Sequence, residues 1–303
     1  MIEAGSPITD SLDQRCIHYV DVAGVRTRYY EAGNGEPLVL IHGGEFGMVC
    51  TLDCWSLNLP GLSEHFHVYA LDKLGQGHTD NPGRDLDYSI ETVIEHILAF
   101  LQELHITSAH FVGHSRGALP VAYLAVQHPD LVKSAVLVDT NTTASPENAA
   151  AAFRFYTELA RRTPPGPPTS ESVRLEPEAN SYSTAQVTDD LITRLLAIAR
   201  LPKTQEAQAR LDAVRDRVWY ASLDRTRAEV VRQIDEQGIQ RPVLVVWGFN
   251  DPSAPLTNGL QLFERICQKS PRAELHMFNE AGHYSFREHP EKFNRLLRTF
   301  CLG

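Results

Sequence analysis

The sequence predicts an α/β protein with a mostly parallel central sheet and helices on both faces. Short, continuous apolar runs alternate with stretches of helical periodicity, as in chains whose strands are buried on both faces. The 303 residues, 43% of them apolar and 22% charged, are enough for one large core. Near the middle of the chain, a strand, a tight turn and a helix place a serine between two glycines.

The strands and the flanking helices follow from local patterns. The predicted strands are residues 17–22, 25–32, 37–41, 66–71, 109–112, 135–138, 242–247 and 273–277. The first two flank Ala23-Gly24, which predicts a hairpin. Ser89 is a predicted N-cap before a helix with one apolar face. The last helix carries an apolar stripe that suits docking on the sheet, formed by Phe293, Leu296, Leu297 and Phe300.

Residues 145–240 have a different character from the rest of the chain. They are Ala-, Arg- and Glu-rich helical stretches, interrupted by the proline-rich segment 163–168. An insertion of this length in a compact domain commonly serves as a lid over a site. We therefore expect a core domain of residues 1–144 and 241–303 and an inserted helical cap of residues 145–240.

Composition narrows the class of protein. The net charge is −10 and no run of Lys or Arg occurs, which argues against a nucleic-acid partner. No stretch has the roughly 18 consecutive apolar residues of a membrane span, and the first residues lack a signal peptide, so a cytoplasmic protein is expected. The five cysteines are scattered, and the spacing of Cys50 and Cys54 lacks further ligands nearby, so free thiols and no metal or cofactor are expected.

The segment from Gly113 to Gly117, Gly-His-Ser-Arg-Gly, is a Gly-x-Ser-x-Gly nucleophile elbow. An apolar run precedes it and a helical stretch follows, which places the Ser115 hydroxyl at the apex of a strained turn. The glycines allow the neighbouring backbone to approach closely. The pattern alone is a weak signal, so the interpretation depends on finding a base, an acid and an oxyanion hole.

A serine hydroxyl needs an imidazole to take its proton and a carboxylate to orient that imidazole. His283 follows the last predicted strand and Asp251 follows the strand before it. Both lie past the carboxyl ends of strands, where open parallel sheets place their ligand sites. Asp139 also ends a strand and is a second candidate acid, although Asp side chains there often cap a turn. We favour Asp251.

An oxyanion hole needs two backbone N–H groups. The residue after the nucleophile, Arg116, supplies one, and the His42-Gly43-Gly44 loop supplies the other, with Gly44 the first choice and Gly43 the second. We expect His42 to orient this loop rather than react. The pair His65 and His67 lacks a third ligand in register and is interpreted as a solvated strand edge rather than a metal site. For the Arg116 side chain, a substrate carboxylate and an acid from the cap both remain possible partners.

With these elements in this order, the chain resembles the α/β-hydrolases over nearly its whole length. The resemblance implies the α/β-hydrolase fold, with Ser115, Asp251 and His283 as the catalytic triad. A serine nucleophile, rather than an aspartate, argues against the haloalkane dehalogenases and epoxide hydrolases of that fold. The fixed residues of the elbow therefore predict a serine hydrolase.

A narrower resemblance is to the meta-cleavage-product hydrolases, which split carbon–carbon bonds in products of aromatic ring cleavage. The His-Gly-Gly loop matches, and Arg200 in the cap corresponds to a substrate-binding arginine of that family. The resemblance implies that Gly43, His114, Arg200 and Tyr284 contact substrate. The family usually has Asn and Met around the serine and Trp after the histidine, whereas this chain has His114, Arg116 and Tyr284.

The leading functional hypothesis is cleavage of a carbon–carbon bond in a carboxylate-bearing dienoic keto acid, through ketonisation and attack by Ser115. The runner-up is a carboxylesterase or lactonase acting on a small ester. A hypothesis of a different class is a non-catalytic ligand receptor on the same fold, and a thioesterase or peptidase also stays open because fold does not fix function. The resemblance is compatible with a homodimer.

Overall fold

A computed structural model describes residues 10–141 and 149–303. Its centre is an eight-stranded sheet with the order β1-β2-β4-β3-β5-β6-β7-β8. β1 and β2 pair antiparallel, β2 joins β4 antiparallel, and all pairs from β4 to β8 are parallel. The predicted fold class is therefore confirmed. The strands are Ile17–Val22 (β1), Val25–Ala32 (β2), Glu36–Ile41 (β3), Phe66–Leu71 (β4), Ala109–His114 (β5), Val132–Val138 (β6), Val243–Gly248 (β7) and Ala273–Phe278 (β8).

All eight predicted strands are present, and β1, β2 and β4 have the predicted bounds. The largest difference is in β6, which begins at Val132 rather than at residue 135. The apolar run is interrupted there by Lys133 and Ser134, but Ser134 pairs with His110 of β5, and its hydroxyl lies 2.8 Å from the His110 Nδ1 atom. A side-chain partner on the neighbouring strand thus extends β6 beyond its apolar part.

Helices cover both faces of the sheet. In α2 the Ser89 side chain accepts a hydrogen bond from the Thr92 amide, which confirms the predicted N-cap. The helices are Leu59–Ser63 (α1), Ile90–Glu103 (α2), Ala118–Gln127 (α3), Ala149–Arg162 (α4), Ser170–Ala179 (α5), Asp189–Ala199 (α6), Pro202–Val214 (α7), Ala221–Gln237 (α8), Leu256–Cys267 (α9), Ser285–Glu288 (α10) and Pro290–Leu302 (α11).

The segment between β6 and β7 is helical, as predicted for a cap, but not all of it lies over the sheet edge. Helix α8 packs against α2, α3 and α9, and its residues Val230 and Ile234 belong to the main core. The predicted cap boundary at residue 240 is therefore too late, because the last helix of the insertion returns to the core layer. The other predicted boundary, at residue 145, lies outside the described residues.

The core has two layers because successive residues of each strand point to opposite faces. In β3, Val39 and Ile41 pack beneath α2 and α3, while Leu38 and Leu40 face the layer that includes α11. The apolar stripe of the last helix docks there, with Phe293 and Leu297 fully buried. Packing on both faces holds the sheet in place, and the site lies at the carboxyl-terminal edge of this sheet.

In the described parts of the chain, every helix is too short or too polar to span a bilayer. The same parts contain no cluster of three or more His, Cys, Asp or Glu side chains arranged to hold a metal ion. All five cysteines are free thiols.

Candidate active site

The nucleophile elbow lies where β5 ends and α3 begins. Ser115 has a φ of 53°, the left-handed conformation that costs a non-glycine residue free energy. A Cβ atom on Gly113 would lie 2.4 Å from the carbonyl oxygen of Gly117, and one on Gly117 would lie 2.4 Å from that of Ile41. The turn therefore requires glycine at both positions, and it holds the serine out of the sheet.

Three side chains from three strand ends meet at this elbow. The Ser115 Oγ atom lies 3.0 Å from His283 Nε2, and His283 Nδ1 lies 2.7 Å from Asp251 Oδ2. The other oxygen of Asp251 accepts hydrogen bonds from the amides of Ser253 and Ala254, at 2.8 and 2.7 Å. Because the carboxylate is held by backbone, it fixes the imidazole in the tautomer that accepts a proton from serine.

Asp139, the second candidate acid, lies close by but is engaged elsewhere. One of its oxygens accepts from the Gly248 amide at 2.6 Å and the other from the Ser285 hydroxyl at 2.6 Å. Burial, together with the nearby charge of Asp251, raises the Asp139 pKa well above its ordinary value. The geometry favours Asp251 as the partner of His283.

The electrostatics of the site favour a protonated imidazole once a proton arrives. Burial of His283 lowers its pKa, but the charge of Asp251 and the hydrogen bond to it outweigh burial and raise the pKa to about 9. The imidazolium that forms when a serine gives up its proton is therefore stabilised.

The loop after β3 borders the nucleophile. A Cβ atom on Gly43 would lie 2.8 Å from Ser115 Cβ, so this backbone touches the serine. His42 accepts a hydrogen bond at Nε2 from the Lys73 amide, at 3.0 Å, and its Nδ1–H donates to the Gly43 carbonyl at 2.8 Å. His42 thus orients the loop, as the sequence predicted. Gly44 has a φ of 72°, and within the described residues its amide donates to no backbone carbonyl, so it is free for an oxyanion.

The other donor predicted for an oxyanion is the Arg116 amide. Arg116 is the second residue of the single 3₁₀ turn Ser115–Gly117 that leads into α3. N–H groups in a first turn have no intrahelical acceptor. Gly44 and Arg116 therefore stay the predicted pair of oxyanion donors, Arg116 in the turn that contains Ser115 and Gly44 in the loop that borders it.

His114 and Tyr284 hold the loop of the histidine rather than standing free for substrate. The Nε2–H of His114 donates to the His283 carbonyl at 2.8 Å, which leaves its buried Nδ1 without a hydrogen-bond partner among the described residues. The Tyr284 hydroxyl donates to Glu176 Oε2 at 2.6 Å. The His283 amide donates to the carbonyl of Asn180 at 2.7 Å. Both predicted substrate-binding residues thus lie in the site and position its base.

Arg200 is the predicted site residue that the structure does not bring to the site. It caps the carboxyl end of α6, and its exposed guanidinium donates to the Pro168 carbonyl at 3.1 and 3.2 Å. Its substrate-binding role is therefore corrected, because the helix turns this position to solvent. Arg194 of the same helix faces inward and forms ion pairs with Asp10 and Asp53.

Four residues near the nucleophile were not predicted from the sequence. Glu45 follows Gly44 and contacts Arg116, and Lys73, whose burial lowers its pKa to about 7, donates to the Gly44 carbonyl at 2.9 Å. Glu176 and Asn180 come from the cap side. Burial raises the Glu176 pKa despite hydrogen bonds from Tyr284 and Asn180. The position of Glu45 directly after the oxyanion loop could have indicated that it lies near the site. No sequence pattern indicates this for the other three residues.

Comparison with known proteins agrees with this geometry. The family model described as alpha/beta hydrolase fold matches residues 36–290. A 2-hydroxymuconate semialdehyde hydrolase of Pseudomonas sp. (strain CF600) is 28% identical over 278 residues, covering 92% of this chain and 91% of the relative. The dihydrolipoyllysine-residue acetyltransferase component of an acetoin cleaving system from Pseudomonas putida is 31% identical, covering 92% of this chain and 68% of the relative.

Among solved structures, a mutant of the meta-cleavage product hydrolase CumD of Pseudomonas fluorescens IP01, complexed with acetates, is similar to this chain with a TM-score of 0.73 and 26% identity. The match covers 93% of this chain and 96% of CumD. Since the family model spans most of the chain and includes the elbow, the acid and the histidine, the chain belongs to the alpha/beta hydrolase fold family.

Proposed function

We propose that this protein is a serine hydrolase that cleaves a carbon–carbon bond in a 2-hydroxy-6-oxo-dienoic acid of the kind produced by meta-cleavage of aromatic rings. The observation that carries the proposal is the hydrogen-bonded series Ser115–His283–Asp251 beside the His-Gly-Gly loop. Relatives named for hydrolysis of 2-hydroxymuconate semialdehyde and of 2-hydroxy-6-oxo-2,4-heptadienoate, 28% and 26% identical to this chain, support the bond type.

The first step is ketonisation of the dienol substrate. A proton leaves the 2-hydroxyl group and one is added at carbon 5, which gives a keto acid with a ketone at carbon 6. His283 transfers these protons, because its imidazole is the strong base held at the elbow and its pKa is raised to about 9. Saturation at carbon 5 prepares the bond between carbons 5 and 6 for cleavage.

Attack follows at the carbon 6 ketone. The Ser115 oxygen bonds to this carbon as its proton passes to His283, and the resulting oxyanion accepts from the Gly44 and Arg116 amides. The bond between carbons 5 and 6 then breaks, and its electron pair is delocalised into the adjacent keto acid as an enol while His283 returns the proton. Water, activated by His283, hydrolyses the ester on Ser115 and releases a carboxylic acid.

The test is turnover of a coloured dienol such as 2-hydroxy-6-oxo-6-phenylhexa-2,4-dienoate. We expect rapid loss of visible absorbance with formation of benzoate, identified by mass, and no benzoate from Ser115→Ala. Rapid cleavage of simple aryl esters with an unchanged dienol would instead identify a carboxylesterase or lactonase. Failure of a serine-directed phosphonate to label Ser115 would indicate a non-catalytic receptor. The cytoplasmic location and the homodimer remain predictions.

A further inference from the structure

A dienoate substrate carries a carboxylate, so the proposed function requires a positively charged group within reach of Ser115. The arginine expected to supply it, Arg200, is bound to the Pro168 carbonyl on the surface. Arg194 is held by Asp10 and Asp53. Both of these cap arginines are committed to other partners.

Two other basic side chains contact the oxyanion loop or Glu45, and each is also engaged. Lys73 is almost fully buried, and its Nζ atom donates a hydrogen bond to the Gly44 carbonyl at 2.9 Å. Arg215 bridges Glu45 and Asp212. Each of these two basic side chains therefore already has a partner of its own.

Arg116 differs from these four. Its Nη2 atom lies 3.2 Å from Glu45 Oε2, but within the described residues its guanidinium donates no hydrogen bond. Glu45 is already occupied, because its two oxygens accept from Arg215 and from the Trp219 indole N–H. The Arg116 side chain is 29% exposed, whereas that of Glu45 is 10% exposed. A guanidinium has five N–H donors in a planar fork, so a second carboxylate has donors to bind.

From this arrangement we infer that Arg116 is the residue that binds the substrate carboxylate. Glu45, held by Arg215 and Trp219, orients the guanidinium without using up its donors. Because the Arg116 amide is also a predicted oxyanion donor, one residue would contact both the reacting carbonyl and the carboxylate. The separation of these two groups along the substrate would then be selected at the elbow, not at the cap. This inference rests on the proposed function for the identity of the substrate only.

The experiment compares each substrate with a partner that lacks the negative charge. The first pair is the phenyl dienoate and its methyl ester, and the second is the 4-nitrophenyl esters of glutaric and pentanoic acids. For Arg116→Gln we expect kcat/KM to fall roughly 10- to 100-fold on the anionic member, mainly through KM, and to change little on the neutral member. Arg116→Lys keeps the charge but loses the planar fork of donors, so its kcat/KM on the anionic member should lie between those of the unchanged protein and Arg116→Gln.

Two arginine variants serve as matched controls. Arg217→Gln removes an exposed arginine from the same turn as Arg215. It should leave kcat/KM unchanged on all four substrates. Arg200→Gln tests the cap position directly. A charge-selective loss in Arg200→Gln but not in Arg116→Gln would overturn the inference, as would an equal loss on charged and neutral substrates in Arg116→Gln. Melting temperatures identify a variant that is merely unfolded.

The two substrate pairs separate this inference from the proposed function. If neither dienol is cleaved but the aryl esters are, the carbon–carbon activity fails. The ester pair then still decides the role of Arg116, since a preference for the glutarate ester that disappears in Arg116→Gln supports it. Equal rates on both esters in the unchanged protein would contradict it.

Discussion

The core side and the cap side of the site are built in different ways. On the core side, Ser115, Asp251 and His283 each follow a parallel strand, so the carboxyl edge of one sheet brings them together. On the cap side, Glu176 and Asn180 come from the end of one helix, α5, and reach the site through contacts with the histidine loop. The difference shows that the reaction chemistry is fixed by the sheet, whereas its surroundings depend on how the cap docks.

The two sides meet at the histidine. The His283 amide donates to the Asn180 carbonyl on the cap side, and its carbonyl accepts from His114 on the core side. Glu288 reinforces the junction, because its two oxygens accept from the amides of Gly282 and Ser183 at 2.7 Å. Both regions therefore position the base. We expect substitutions in the two regions to lower activity by different amounts.

The largest effect is expected from removing the nucleophile on the core side. Ser115→Ala should lower kcat by about 10⁶-fold, since the remaining groups have no oxygen to activate. Turnover of a dienol or an aryl ester measures the loss. Ser11→Ala, at an exposed position, is the control and should retain full activity. Appreciable turnover by Ser115→Ala would show that another group is the nucleophile.

The two candidate acids give the next largest contrast. Asp251→Asn should lower kcat by about 10⁴-fold because the amide favours the wrong imidazole tautomer. Asp139→Asn should cost less than about tenfold, since Asp139 bonds to Gly248 and Ser285 rather than to the imidazole. Steady-state kinetics of both variants decide the matter. The reverse order of losses would assign the acid to Asp139.

The comparison also explains what could be predicted from the sequence. Strand ends carry strong local signals, apolar runs followed by Gly, Asp or His, so the elbow, Asp251, His283 and the His42 loop could all be located. The substrate-binding role predicted for Arg200 is wrong because each step of one residue along a helix rotates the side chain by about 100°. A resemblance across a cap helix does not fix which of its residues faces the site. The contact of Arg116 with Glu45 depends on two loops meeting in space, which no local pattern encodes.

The same limit applies to the cap boundary. Residues 221–237 have the amphipathic pattern of any surface helix, and sequence does not say which layer their apolar face covers. In the structure, Val230 and Ile234 are fully buried in the main core. Helix existence was predictable there, and its docking partner was not.

The pH dependence of activity tests how strongly the core side holds its base. The His283 pKa is raised from 6.5 to about 9, and the base must be neutral to accept the serine proton. Therefore kcat/KM should increase with pH, about tenfold per unit below that pKa, and level off above it. Asp251→Asn should shift this limb to lower pH, because it removes the charge that raises the pKa.

An uncharged aryl ester is the suitable substrate for this profile, because its own charge does not change with pH. The measurement runs between about pH 6 and 10. A limb at or below 6.5 in the unchanged protein would contradict the expected stabilisation of the imidazolium.

A smaller effect is expected on the cap side. Tyr284→Phe removes the hydrogen bond to Glu176 and leaves a buried carboxyl with one donor fewer. The free energy of unfolding should fall by about 1–3 kcal/mol, with less than about a tenfold loss in kcat/KM. Tyr182→Phe, at a side chain that is largely exposed, should change neither quantity. A loss of activity as large as that of Asp251→Asn would place Tyr284 in the chemistry itself.

The smallest effect concerns the strain at the elbow. Ser115 has a φ of 53°, which glycine adopts freely and alanine does not. Ser115→Gly should therefore be more stable than Ser115→Ala, by about 0.5–1 kcal/mol after the greater freedom of glycine in the unfolded chain is subtracted. Chemical denaturation of the two inactive variants measures the difference. Ala122→Gly, within helix α3, is the control. There the glycine variant should be the less stable of the pair, because glycine is less favourable than alanine inside a helix. If Ser115→Gly unfolds more easily than Ser115→Ala, the turn is not strained, and its geometry is held by the close approach of Gly113 and Gly117 alone.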